Sequence, residues 1–482
     1  MRKLIYLITI TVLLFINVLE VNAKDAGYNY SYWGDAIPSA TGLSPAYSFN
    51  QFDLGIELTS PEDLFVNNNL VYMIDSGTNK LTILDDDYQV LHHVGSFNHI
   101  DDDNDVYTLS QPKGVTATED AVYIADTQNS RILKLNHNLK VVDVYDAPDD
   151  RTFEEIDYRP LKLSVDRAGR TYVIAQGVYE GIIELNNDGT FNRYTGVNEI
   201  TVNPLDIFWR QFLTEEQISK MQLYLPTEFT NLQINEMGFI YSTAKADKNG
   251  ESESMIKALN PKGLDVLKRN GYSSPQGDLE YVLLDSSEVV AGPSNLVGIT
   301  VNDYGVYTVL DQKRGRLFTY DNEGYLLYIS GGKGTQVGKL QLPVAVQYKE
   351  EDLLVLDQSS KTLVVYKPTQ FGELVNEAIN HHYYGRFEES ADVWQDVVKL
   401  NSNYEIAYIG IGKSLLRQEQ YEKAMNNFEL GKDKDYYSKA FVGYREELLE
   451  RNFGYIASAV TVLIIVVFAR GISKGYKDAK EE

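Results

Sequence analysis

The strongest constraint on this chain is a pattern that recurs six times between residues 45 and 372. Each copy has a proline, an apolar run, a short turn, an aromatic-rich strand, a polar turn and a second strand. The copies begin near Pro61, Pro112, Pro160, Pro226, Pro293 and Pro343. Gln111–Tyr145 is the clearest, and Ser60–Leu91 and Leu342–Pro368 follow the same plan. Runs such as Val122-Tyr123-Ile124 and Ile132-Leu133-Lys134-Leu135 alternate with period two and are bounded by Asn, Asp and Gly, which predicts short antiparallel strands. A unit of three or four such strands cannot bury both faces of its own sheet. Successive units are therefore expected to close radially into an all-β six-bladed propeller over residues 45–370. A seventh blade would need residues 27–56 or the insert described below to hide another copy.

The segment Asp126-Thr127-Gln128-Asn129-Ser130-Arg131-Ile132, after Pro112-Lys113-Gly114-Val115, resembles the NHL repeat, with its proline-glycine start, its strand ending in Ala-Asp and its Asn-x-Arg-Ile turn. Further copies start at Asp75 and Asp311. The resemblance implies a propeller whose loops bind ligands or proteins. It is poorest in the third and fourth units, which are separated by an insert over residues 199–225. There Thr214-Glu215-Glu216-Gln217 has capping-box spacing ahead of Ile218, Met221 and Leu225, which predicts a helix.

Beyond residue 370 the alternation gives way to helical periodicity, and residues 371–451 read as an all-α module. One unit contains Gly385, Phe387, Ser390, Trp394 and Val397. The next contains Tyr408, Ile411, Gly412, Tyr421, Ala424 and Phe428. These spacings resemble the tetratricopeptide repeat, in which small residues let paired helices approach and aromatics fill between them. A further helix over Tyr436–Arg451 is expected to cap the pair. Too short for a self-supporting solenoid, the module should lean on the propeller, the membrane or a partner.

Two apolar segments suggest the topology. Residues 1–23 read as a signal peptide, with Arg2 and Lys3 ahead of an apolar stretch and Val21-Asn22-Ala23 as a cleavage site; the other reading is a retained anchor. Residues 24–44 then form a linker. Phe453–Ala469 carries no charge and, at about 1.5 Å per residue, covers most of a bilayer's hydrocarbon core. Arg470, Lys474, Lys477 and Lys480 follow it, so residues 470–482 are expected to be cytoplasmic and the chain a single-pass type I protein of the cell membrane, with extracellular N-terminal domains. The fold class is thus multidomain: propeller, helical repeat and one transmembrane helix.

Composition narrows function. A formal charge of −25 opposes binding to a nucleic-acid backbone. With no cysteine there is no disulfide, thiolate zinc site or cysteine nucleophile, which in an exported protein fits a bacterial envelope. None of the six histidines, His92, His93, His99, His137, His381 and His382, stands in a recognised metal spacing. No nucleophile elbow, P-loop or dinucleotide motif occurs, and no catalytic or cofactor-binding residue is assigned. Asp101, Asp103 and Asp105 place hard oxygen ligands at alternate positions, as calcium prefers, but Pro112 stands where an EF-hand loop needs its acid. A solvated loop between blades is the plainer reading. The expected function is a non-catalytic binding or scaffold protein, its propeller face taking a protein, carbohydrate or other small ligand and its helices docking a membrane or envelope partner. The alternative is an anchored hydrolase or lyase of the gluconolactonase-like type.

Overall fold

The computed structural model describes residues 27–153, 157–197, 228–246, 255–278 and 292–481. The expected signal peptide and the expected helix within residues 199–225 fall outside them. Six sheets succeed one another along the chain. Their first strands are Pro61–Asn67, Gly114–Ala117, Pro160–Val165, Phe229–Ile234, Leu296–Val301 and Pro343–Lys349. Each of these contacts the first strand of the next sheet, and the last contacts the first, so together they ring a central channel. The result is a six-bladed propeller. Five blades have four strands in antiparallel order, and the fourth has three among the described residues.

Alternation explains the packing. In Val122–Asp126 every residue is buried. Ile124 points into the cluster shared with the first blade, whereas Tyr123 and Ala125 point into the one shared with the third. The same holds around the ring, where one apolar cluster fills each of the six interfaces between blades. A strand buried on both faces this way reads as a continuous apolar run flanked by polar turns. The prolines sit where the ladder slips: register shifts fall at Pro61/Asp63, Pro160/Lys162 and Pro343/Ala345, positions that tolerate a missing N–H. Hairpin turns are closed by an Asn or Asp whose Oδ1 accepts two backbone N–H groups, as Asp85 does from Asp87 and Gln89. The fourth turn residue has positive φ. It is glycine at Gly169, Gly189 and Gly238, but Tyr88 at φ 61° in the first blade.

The sixth blade is completed by the other end of the domain. Leu43–Asn50 pairs antiparallel with Thr362–Pro368, setting Phe49 opposite Leu363 and Tyr47 opposite Val365. The linker expected over residues 24–44 also holds structure, since Tyr28–Tyr30 and Ala36–Pro38 form a hairpin. Its Tyr28 hydroxyl reaches the buried Asp278 carboxylate at 2.7 Å, and its Asn29 amide bonds the carbonyls of Leu326 and Leu327.

Five helices follow: α1 (Gln370–Tyr383), α2 (Phe387–Leu400), α3 (Glu405–Arg417), α4 (Tyr421–Leu430) and α5 (Lys434–Glu481). A side chain at Gly410 would lie 2.3 Å from the Trp394 indole and one at Gly412 2.6 Å from the Phe428 ring, so these small residues let α3 meet α2 and α4. Ser390 is buried at the same crossing and satisfies its hydroxyl on the Ala378 carbonyl at 2.8 Å. The final helix, α5, contains both the capping segment and Phe453–Ala469. Over that segment the large apolar side chains are exposed all round, Val462, Leu463, Ile464 and Ile465 among them. Among the described residues, one helix is thus long and apolar enough to cross a membrane.

Candidate functional site

The loops at one mouth of the channel are held by an aspartate at the end of the second strand in four blades. Asp75 accepts from the Thr59 N–H at 2.7 Å, Asp126 from Ser110 at 2.7 Å, Asp311 from Asn295 at 2.9 Å and Asp357 from Gln341 at 2.6 Å. Each bond ties the loop that enters the first strand to the end of the adjacent second strand. Asp126 also takes Arg131 Nε at 2.9 Å, so the Asp and Arg of the sequence motif form a buried pair. In the third and fourth blades the matching positions, opposite Pro160 and Phe229, are Ala175 and Ala244. The motif carboxylates are therefore loop ties rather than ligand groups.

Inside that mouth, the starts of the first three inner strands bring Glu62, Asp63, Lys113 and Lys162 together. Lys162 reaches past the second blade to Asp63 Oδ1 at 2.7 Å and to the Glu62 carbonyl at 2.9 Å. Asp63 also accepts the Val115 N–H at 3.1 Å. Burial pushes its carboxyl above the usual range, and Lys162 pulls the other way. Glu62 accepts from Ser76 Oγ at 2.8 Å and faces Lys113 at 3.6 Å. Lys113, with 38% of its side chain exposed, is the most accessible charge of the four. Deeper in the channel, Gln233 of the fourth blade and Gln347 of the sixth meet at 3.4 Å. This arrangement balances charge. It can orient a small polar ligand at Glu62 and Lys113, while Asp63 stays locked behind its own partners.

The opposite face carries a groove of about 1000 Å³. Hairpin turns of the second, third and fourth blades line it, with Asp120, Lys134, Arg167, Asn187 and Glu236 among the lining residues. Arg167 pairs with Glu236 at 3.3 Å across two blades.

The acidic run lies on the rim. Asp101, Asp103 and Asp105 occupy the turn of a hairpin made by Ser96–Asn98 and Val106–Thr108. Asp103 pairs with Lys140, which holds its carboxyl below the usual range. Asp105 accepts from the Tyr107 hydroxyl at 2.9 Å, and the Asp101 N–H donates to His99 Nδ1 at 3.2 Å. Among the described residues no group of three or more His, Asp and Glu is placed to hold a metal ion. The histidines are dispersed: His93 bonds Thr82, His381 on α1 accepts from Arg386 ahead of α2, and His382 is held in an interface.

That interface joins the helices to the fifth and sixth blades through one apolar core, in which Tyr304, Leu327 and Tyr366 pack with Phe371, Trp394 and Ile409. Polar ties frame it. Tyr404 donates to the Leu327 carbonyl at 2.6 Å, Tyr328 to Asn376 Oδ1 at 2.9 Å, and Tyr436 to Glu323 at 2.8 Å. Lys413 lies 2.8 Å from Glu323 and 4.0 Å above the centre of the Tyr325 ring. Burial alone would raise the Glu323 carboxyl, yet Lys413 and the Tyr436 hydroxyl hold it down to about 2. His382 shares a cavity of about 40 Å³ with these groups, and burial together with Lys413 lowers its pKa to about 4. Contact with the propeller is one of the supports the sequence allows the module, but the residues that make it lie far apart along the chain and carry no local signal.

No protein-family model matches the chain, and no curated protein matches it. Among solved structures, virginiamycin B lyase from Staphylococcus aureus is similar at 9% identity and a TM-score of 0.40, over 68% of this chain and 99% of that one. A protein of unknown function from Bacteroides thetaiotaomicron gives 14% and 0.41, over 70% and 80%. A streptogramin B lyase gives 13% and 0.38, over 69% and 100%. At these values no activity passes from those proteins to this chain.

Proposed function

We propose that the chain is a membrane-anchored extracytoplasmic binding and scaffold protein of type I orientation, in which an NHL-like propeller presents its loop faces to a ligand or protein and tetratricopeptide-like helices dock a membrane partner. One observation supports this most: the last two blades and the helices share a single apolar core, and α5 runs unbroken from that core into the apolar span. A propeller mounted in this way keeps a set orientation to the bilayer, which suits holding one partner against another. Photo-crosslinkers placed at Arg167 in the groove and at Glu422 on α4, in full-length protein in its native membrane, should each give discrete adducts identified by mass spectrometry. Adducts no more specific than those from a rim position such as Asp101 would sink the reading.

The carboxylate–ammonium pair that Glu62 and Lys113 present at the channel mouth favours a second reading, an anchored hydrolase or lyase of the gluconolactonase-like type acting on a sugar acid, lactone or wall fragment. It requires that the purified full chain open such substrates and that Glu62→Gln abolish the turnover.

A further inference from the structure

Between the sixth blade and α1 lies a cleft of about 510 Å³, within the size range of ligand sites. Its walls carry Glu351 and Asp352 from a hairpin turn and Glu373 and Glu377 from successive turns of α1. One cation, Lys367, stands among them and pairs with Asp352 at 3.1 Å. Four carboxylates against one ammonium leave a net three negative charges at one opening. Glu373 has no ion-pair partner among the described residues, and Glu377 meets only His381, at 3.6 Å.

A second observation is independent of charge. Asn376, 6% exposed, also lines the cleft. Its Oδ1 is taken by the Tyr328 hydroxyl at 2.9 Å, which orients the amide, and its Nδ2 group has no hydrogen-bond partner among the described residues. The Nδ2 group is not sealed from solvent, so the cleft side of this amide is a donor that water or an incoming carbonyl can satisfy. Carboxylates call for a cation, whereas the Asn376 amide calls for a carbonyl oxygen. A metal ion or polyamine supplies the first alone; a peptide with basic side chains supplies both.

We propose that this cleft binds a lysine- or arginine-bearing peptide segment of a protein partner, its cationic side chains facing Glu373, Glu377 and Glu351 and a backbone carbonyl accepting from Asn376 Nδ2. The inference deepens the scaffold reading and rests on it, naming the partner's chemistry at one surface.

The test uses the full-length chain in lipid nanodiscs, titrated by fluorescence anisotropy with acetyl-KAKAKA-amide, its glutamine counterpart acetyl-QAQAQA-amide, spermine and calcium. The lysine peptide should bind, weaken steeply between 50 and 500 mM salt, and lose about tenfold or more in affinity in the double variant Glu373→Gln, Glu377→Gln. Both side chains are exposed, so the melting temperature should not move. Asn376→Leu removes the donor without adding charge and should weaken the peptide roughly three- to tenfold while leaving spermine unchanged. Absence of binding, equal binding of the glutamine peptide, or spermine matching the lysine peptide with both indifferent to Asn376→Leu would overturn the proposal. Loss of peptide binding with intact cross-links at Arg167 would leave the scaffold reading standing and remove this site alone.

Discussion

Lys413 on α3 places its ammonium 2.8 Å from the Glu323 carboxylate in a turn of the fifth blade, joining helices to propeller through a pair that is nearly out of solvent. Asp321 lies 3.9 Å from the same ammonium, so one cation serves two buried acids. Removing it leaves Asp321 without a cation and Glu323 with only the more exposed Lys268 at 3.9 Å, and Lys413→Met should therefore destabilise the chain by about 3 kcal/mol. Urea unfolding followed through Trp394, buried in the helical region, would show the loss.

The same junction predicts a direction for pH dependence. Glu323 is held at about 2, below its ordinary 4.5, so it stabilises the fold above about pH 4.5, and that stabilisation disappears as pH falls towards 2. His382 is lowered to about 4 from 6.5. Between those values the unfolded chain takes up a proton that the folded chain refuses, so stability falls as pH drops through that window and levels off below it. The melting temperature should decline in both windows. His382→Gln should flatten the upper segment and Glu323→Gln the lower; if either variant keeps the wild-type slope in its window, that assignment is wrong.

The blade aspartates and the rim aspartates should separate cleanly on substitution. Asp126 is fully buried, with Ser110, Asn129 and Arg131 as partners. Asp126→Ala removes all of these bonds and leaves Arg131 only the Thr108 carbonyl and the Tyr107 ring, at a loss of about 3 kcal/mol. Asp101→Asn, on an exposed turn, should change stability by less than about 0.5 kcal/mol. Chelator should leave the melt unchanged if the acidic run is only a solvated loop, whereas a shift would mark Asp101, Asp103 and Asp105 as a calcium site.

Local chemistry made much of the propeller legible. Pro61, Pro160 and Pro343 announce inner strands because they occupy bulges that need no N–H, and the Asn, Asp and Gly turns announce hairpins because their side chains and φ values close them. The strand Leu43–Asn50 escaped notice for the opposite reason. It is an edge strand carrying Pro45 and four consecutive exposed residues, and its partner, Thr362–Pro368, lies more than three hundred residues away. Nothing local distinguishes it from a linker. The site residues divide in the same way. Asp75, Asp126 and Asp311 stand out as a repeated motif, but their work as loop ties appears only once the loops are in place. Lys162 against Asp63, or Asn376 against Tyr328, joins parts of the chain that no periodicity connects.

Close approach at the first helix offers a further check. Gly372 in α1 packs on the backbone before the closing strand, and a side chain there would lie 1.9 Å from the Gly42 carbonyl oxygen. Thr369 caps the same helix through the Gly372 N–H and donates to the Thr41 carbonyl at 2.7 Å. Gly372→Ala must therefore push the helical module away from the sixth blade, at about 1–3 kcal/mol. Limited proteolysis should then cleave near residues 367–370 faster than in the wild type, while cleavage within the first four blades stays unchanged.

Topology can be read with little interference because the chain contains no cysteine. Glu446 is exposed on α5 before the apolar segment, and Lys480 lies in the basic stretch after it. The seventeen uncharged residues between Asn452 and Arg470 span about 26 Å as a helix, and the lysines and arginine beyond them favour the cytoplasmic side. In intact cells a membrane-impermeant maleimide should label Glu446→Cys and spare Lys480→Cys; after permeabilisation both should react. Labelling of both in intact cells would mean that α5 does not cross the bilayer, and the reverse pattern would place the propeller in the cytoplasm. Val462→Lys supplies the energetic counterpart. A lysine near the middle of the span costs about 2.5–3.5 kcal/mol of insertion free energy, so a fraction of the variant should move from the membrane to the soluble fraction. Because α5 is continuous with the junction at Lys413 and Tyr436, that soluble fraction should still bind acetyl-KAKAKA-amide as the anchored protein does.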